Sequence, residues 1–254
     1  MKRIFWILIA VFLMLTAIDV SGQRWKLRRY EVDAYIGAVA FHGDIGLADR
    51  PLANMFNGVR PSVGVTPRFM IRRDMAVSLD LGYLMYGGQD KEGESHGRLY
   101  SFNSHAFQHF ARFEYIILGA AGGGRSGGAV YNRRGMVNNY NRLNLYAFAG
   151  AGGILSKSTV KDQNGEEPVD NPGYDNSLQY TAGFPVGGGI KFSLDPRWSV
   201  GVELGYMFTL SDYLDGYSSE WSNYNDSYYL LTVKAIFRIR NDKNGRPLFN
   251  RYYR

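Results

Sequence analysis

The chain has 254 residues, 29 Lys plus Arg against 23 Asp plus Glu for a formal net charge of +6, 31 Gly, 19 Tyr, 15 Phe and no Cys. The missing Cys excludes a disulfide scaffold, a thiol nucleophile and a zinc ribbon, and the lack of any tract of extreme composition argues against general disorder. A charge of +6 spread over this length is too weak to imply nucleic acid as a partner.

The N-terminus reads as an export signal. Met1-Lys2-Arg3 is a positive n-region and Ile4 to Leu15 is an unbroken apolar run. Val20 and Gly22 are small enough for the −3 and −1 positions of a signal peptidase site, so residues 1–22 are expected to be removed before Gln23. The apolar run is short for a helical span of ~20 residues. Without a Cys to acylate, a lipoprotein is not expected either.

Residues 23–240 read as eight antiparallel strands: Tyr30–Phe41, Ser62–Ile71, Ala76–Tyr86, His105–Leu118, Leu143–Leu155, Tyr180–Leu194, Trp198–Leu210 and Tyr228–Arg240. The period-two signal is clearest in the third, where Val77, Leu79, Leu81, Tyr83 and Met85 share a face, and in the seventh, where Trp198, Val200, Val202, Leu204, Tyr206, Phe208 and Leu210 do. The fifth is rich in Gly and Ala, and its facing is ambiguous. These lengths exceed the usual five or six residues and suit strands that cross a bilayer obliquely, which need ~9–11.

One face of each strand is apolar. The other carries Gly, Ser, Thr and ten charges: Glu31, Asp33, Asp80, Glu114 and Glu203 against Arg68, Arg112, Lys191, Lys234 and Arg238. In a soluble sandwich that face would be wet, and a lipocalin-like barrel would turn its apolar face inward. In a membrane barrel the apolar face meets lipid, and the charges fill a narrow lumen in which they must pair. Two features favour the membrane barrel. Short connections (Arg72-Arg73-Asp74, Asp195-Pro196-Arg197) alternate with long ones (Gly43–Arg60, Gly87–Ser104, Ser156–Gln179, Ser211–Ser227). Aromatics also cluster near strand ends (Tyr83 and Tyr86, Trp198, Tyr206 and Phe208, Tyr228 and Tyr229), as in interfacial girdles. The predicted fold class is therefore an all-β, eight-stranded antiparallel up-and-down transmembrane barrel with a filled lumen. Gly37, Gly64, Gly82, Gly201 and Gly205 on the charged face leave room for the long side chains.

One inner connection, Gly119–Arg142, is long and Gly-rich. A phosphate-binding glycine loop would need a strand before it and a helix after it, and no helical pattern follows, so a flexible connection is expected. Leu47–Phe56 in the first long connection has the pattern of a short amphipathic helix. Charge sorts by side, with a net +12 on the short-turn side and −8 on the long-loop side. The basic side includes Arg125, Arg133 and Arg134 and a tail, 241–254, with Lys243, Arg246, Arg251 and Arg254. It suits either inner-leaflet headgroup contact or docking of an acidic periplasmic partner.

The stretch Gly189 to Ser218, GIKFSLDPRWSVGVELGYMFTLSDYLDGYS, resembles the PorG-type outer-membrane barrels of Bacteroidota, which are tied to the type IX secretion system. The matching parts are the Gly-Ile-Lys strand, the Arg-Trp turn, Glu203-Leu204-Gly205-Tyr206 and the signature Asp212-Tyr213-Leu214-Asp215. Tyr30 to Gly46 and Phe113-Glu114-Tyr115 are similar to that family too, whereas the long inner connection departs from it. The resemblance implies a non-enzymatic barrel in the cell outer membrane that contacts lipid and, on the periplasmic side, a PorK/PorN-type ring or lipoprotein of the secretion machine. From the residues alone, Asp212 and Asp215 also suit a turn whose carboxylates cap backbone N–H groups, or contacts to a partner or ion at the outer rim.

No cofactor is expected. His42, His96, His105 and His109 are the four histidines; the i, i+4 pair lies on one strand face without companions for a metal. Ser104 and His105, the adjacent candidates for a lipid-modifying site, point to opposite faces and make no nucleophile–base pair. An OmpA/OmpX-like barrel for envelope integrity or adhesion is the competing non-enzymatic reading.

Overall fold

The computed structural model describes residues 30–43, 45, 59–72, 74–90, 99–118, 131–132, 135–136, 143–169, 171, 173–194, 197–217, 225–239 and 247. The export signal, residues 47–56 and the seven basic residues from Arg125 to Arg254 named above lie outside them. Eight long strands form: β1 Tyr30–His42, β2 Arg60–Met70, β3 Met75–Gln89, β4 Ser101–Leu118, β5 Leu143–Lys161, β6 Gln179–Ser193, β7 Trp198–Thr209 and β8 Ser227–Arg238. They pair antiparallel in sequence order and close, β8 against β1, into a barrel. Inside the long inner connection, Tyr131–Asn132 pairs with Gly135–Met136 as a separate two-residue ribbon.

The register fixes the barrel's shape. Tyr30 faces Phe69, and the path runs on through Val77, Phe113, Ala149, Val186, Tyr206 and Tyr229 back to β1 at Ala40. The circuit therefore closes ten residues beyond its start, from position 30 to position 40. For eight strands a stagger of this size sets a tilt of about 40° and an interior just wide enough for side chains.

The facing of the strands decides between lipid and water as the outer solvent. Val65, Leu79, Phe113, Ile190, Val202, Leu204 and Val233 stand exposed on the outer wall, and Ile36 is 68% exposed. Nine of the ten lumen charges are buried and the tenth, Arg238, is partly so. An apolar band around the whole circumference with a charged interior is a barrel built for a bilayer, where closure leaves no unpaired strand edge. No helix among the described residues is long and apolar enough to cross a membrane.

The fifth strand, ambiguous in sequence, turns its even positions inward from Asn144 to Val160. β4 and β5 extend further than expected, from Ser101 rather than His105 and to Lys161 rather than Leu155. Their outer ends carry Asn103, Lys157 and Lys161 on the outward face, so the apolar alternation fades there while the pairing continues. Two aromatics assigned to the girdles belong elsewhere. Tyr86 and Tyr228 are buried in the interior and stack on each other at 6.2 Å, because their even positions place them opposite Tyr83 and Tyr229. Inner glycines also have a specific task. A Cβ on Gly64 or Gly82 would lie 2.4 or 2.2 Å from the Tyr35 side chain, so the pair forms the slot that Tyr35 fills.

Candidate functional site

The interior has two storeys. Near the short-turn end, Arg68 on β2 lies 3.1 Å from Glu31, 2.9 Å from Asp33 and 2.6 Å from Glu114. Arg112 lies 2.8 Å from Glu203 and 3.6 Å from Glu114, which joins the two arginines into one network. Lys234 completes the Glu203 site at 2.7 Å, and Lys191 and Arg238 both pair with Glu31. Tyr146 donates its hydroxyl to Glu203 at 2.7 Å. The Arg112 guanidinium lies 4.6 Å from the Phe148 ring centre. Asp80 departs from the expected charge pairing: Thr66 donates to it at 3.0 Å and the Gln108 side-chain amide also donates to it. Tyr228 in turn donates to Gln108 at 2.8 Å. Neutral donors suffice there because a carboxylate accepts several hydrogen bonds at once.

The outer storey is apolar rather than charged. Val39, Leu84, Phe102, Phe110, Ile154 and Met207 pack together from five strands, two of them from β4. They share strand parity with the charges, so the charged face is apolar over its outer half.

The signature Asp212-Tyr213-Leu214-Asp215 closes this storey. Leu214 is fully buried in the apolar cluster. Its N–H donates to Asp226 at 2.8 Å, and its carbonyl accepts from the hydroxyls of Ser104 and Ser158. Asp215 accepts from the N–H of Ile45 at 3.1 Å and from that of Tyr217 at 3.0 Å. Thus Asp215 does cap backbone donors, one of them in another connection. Asp212 stays near the surface and Tyr213 is exposed. The other outer connections join this plug. Asp175 N–H donates to the Gly216 carbonyl at 3.0 Å, and Tyr100 packs edge-on against Tyr217 at 5.5 Å. At the surface of the third outer connection, the N–H of Ser177 holds the Asp175 carboxyl below the usual carboxylate range.

The histidines sort as their parity requires. Ser104 points in, to Leu214, while His105 points out and its Nδ1 hydrogen-bonds the Tyr83 hydroxyl at 2.7 Å. His109 Nε2 hydrogen-bonds the Tyr180 hydroxyl at 3.2 Å, also on the outer wall. Among the described residues, no three His, Asp or Glu side chains gather as a metal site. Leu214 and Asp226 are the residues whose part in the plug sequence reasoning missed. The signal for Leu214 was present, an apolar residue between two acids in an outer connection.

No family model and no curated protein matches the chain. Among solved structures it is similar to neisserial surface protein A, at 12% identity over 82% of this chain and 96% of that chain, with a TM-score of 0.40. The attachment invasion locus protein Ail of Yersinia pestis gives 11% identity over 83% and 100% of the two chains at 0.41. A major outer membrane protein from Thermus thermophilus gives 12% over 82% and 98% at 0.40. The fold stated above rests on this chain's own strand pairing.

Proposed function

We propose that the chain is a non-enzymatic barrel of the outer membrane that acts as a scaffold, docking a periplasmic assembly at its basic short-turn rim. The observation that carries this reading is the filled interior. Arg68 and Arg112 knit the inner storey to four acidic side chains, Glu31, Asp33, Glu114 and Glu203, and Leu214 seals the outer one. Such a barrel offers its rims and wall to partners rather than a path through its centre. The net +12 on the short-turn side supports a partner of opposite charge there.

The kind of assembly follows from the resemblance of Gly189 to Ser218 to PorG-type barrels: a PorK/PorN-type periplasmic ring of a type IX secretion machine. The test is a clean deletion in the source organism, with secreted cargo measured in the medium. Loss of secretion, restored by the intact gene, is the expected result. Intact secretion would overturn the secretion role and leave an envelope-integrity or adhesion barrel.

A further inference from the structure

The ion pairs of the inner storey do not balance. Arg68, Arg112, Lys191, Lys234 and Arg238 share four carboxylates, those of Glu31, Asp33, Glu114 and Glu203. The fifth lumen acid, Asp80, takes its hydrogen bonds from Thr66 and Gln108 and joins no ion pair among the described residues. One cation is therefore in surplus. An uncompensated charge deep inside a closed barrel is costly, so the surplus belongs where water reaches. Lys191 and Arg238 meet that condition at the short-turn ends of β6 and β8. Each keeps 11% of its side chain exposed, against 5% or less for the other members of these pairs. Both reach the same carboxylate, Glu31, which Arg68 also holds.

Hydrogen bonding at this mouth is unbalanced in the same sense. An ammonium group has three donors, and Lys191 has Glu31 as its acceptor among the described residues. Arg238 gives its Nε–H to Glu31 and one terminal nitrogen to Ser193, each at 2.9 Å. Ser193 accepts a second time, from Ser199 at 3.3 Å. Its own O–H meets no acceptor among the described residues. A lysine, an arginine and a hydroxyl thus converge with unused donors and one shared acid. Such a mouth fits an added acceptor that carries a single negative charge, and the planar fork of an arginine suits a carboxylate.

We infer that the short-turn mouth of the lumen binds one carboxylate of the docked protein partner, an aspartate or glutamate side chain held by Lys191, Arg238 and Ser193. This inference rests on the scaffold reading above and adds to the diffuse attraction of the basic rim a point contact inside the barrel. One carboxylate cancels one surplus cation. The closed wall stands between these inward-facing groups and the surrounding lipid, so the acid arrives from the periplasm.

The test uses the full-length barrel in detergent micelles, with the amide NMR shifts of Ser193 and Arg238 as the readout. The probes are a capped pentapeptide of glycine with aspartate at its centre, its asparagine counterpart and inorganic phosphate. The aspartate peptide shifts both amides to saturation. The asparagine peptide binds about tenfold more weakly, the order expected for losing a charge-assisted hydrogen bond, and phosphate at equal concentration does not displace the aspartate peptide. Lys191→Met weakens binding of the aspartate peptide to a similar degree. It melts at or above the temperature of the unaltered chain, because Glu31 keeps Arg68 and Arg238 and the surplus charge is gone. Lys191→Arg retains binding. Equal binding of the two peptides, displacement by phosphate, undiminished binding to Lys191→Met, or a lower melting temperature in that variant would each overturn the assignment. Binding that appears only after residues 241–254 are removed would place the chain's own tail in the mouth and overturn it too. Recovery of ring components with the unaltered chain tests the scaffold reading separately: ring components retained equally by the unaltered chain and Lys191→Met would sink the site alone, whereas none retained by the unaltered chain would sink the scaffold.

Discussion

Arg112 on β4 places its guanidinium 2.8 Å from the carboxylate of Glu203 on β7, and those strands share no backbone pairing. The pair therefore spans the lumen. Glu203 also holds Lys234 and accepts from Tyr146, so three side chains converge on one carboxylate.

Removing that carboxylate strands buried Lys234 and leaves buried Arg112 with only its longer ion pair to Glu114, at 3.6 Å. Glu203→Ala should destabilise the barrel by about 3–5 kcal/mol, the usual cost of breaking a buried pair by deleting one partner. Urea unfolding in phospholipid vesicles measures it. Replacing Glu203, Arg112 and Lys234 together with apolar residues of similar volume should recover most of the loss, because the cost lies in the uncompensated charge.

The facing of the strands predicts a different response on the wall. Val202 points outward at mid-strand on β7 and is 49% exposed. Val202→Arg should cost about 2–4 kcal/mol in a bilayer. The same change at Tyr213, in the exposed part of the signature, should cost under roughly 0.5 kcal/mol, as surface changes do. If Val202→Arg were neutral in vesicles, the outer wall would not face lipid.

The plug has its own signature in exchange. Asp226 accepts from the N–H of Leu214, and Thr209 donates to the Asp226 carbonyl. Asp226→Ala should speed amide hydrogen exchange of Leu214 and its neighbours in the fourth outer connection while leaving the middle of β7 unchanged. An unaltered exchange rate at Leu214 would mean that the carboxylate does not hold the plug.

Two glycines separate backbone strain from crowding. Gly165 and Gly216 both have φ of 82°, in the left-handed region. A Cβ on Gly165 meets nothing within 4 Å, whereas one on Gly216 lies 2.9 Å from Ser158 Cβ. Both alanine variants should lose about 1 kcal/mol from the backbone alone. Gly216→Ala should lose more in thermal melting, since the plug must shift to admit the methyl group.

Strand number and order, and the facing of the long strands other than β5, were legible in the sequence because those strands alternate against two different solvents. Parity put Glu31, Arg68, Arg112, Glu203 and Lys234 on one face of their strands, and the balanced charges on that face marked it as the interior. It could not supply the partners, because Arg112 and Glu203 are brought together by a ten-residue stagger that no local pattern encodes. The same parity applied strictly to Tyr86 and Tyr228 assigns them to the interior; grouping aromatics by nearness to strand ends misplaced them. The extra length of β4 and β5 was illegible because Lys157 and Lys161 sit beyond the apolar band, where outward residues are polar and alternation vanishes. The role of Asp215 as a cap on Ile45 joins two connections 170 positions apart, a distance over which turn chemistry gives no signal.

The scaffold reading is tested most directly by recovery of the periplasmic partner with the barrel. Tagged full chain and a chain lacking 241–254 are each purified from outer membranes at low and at high salt, and the co-purifying ring components are quantified. The account predicts recovery with the full chain at low salt, with losses on raising the salt and on removing the basic tail, as screening of a charged contact requires. Equal recovery from both chains at both salts, or no ring component with the full chain, would contradict it.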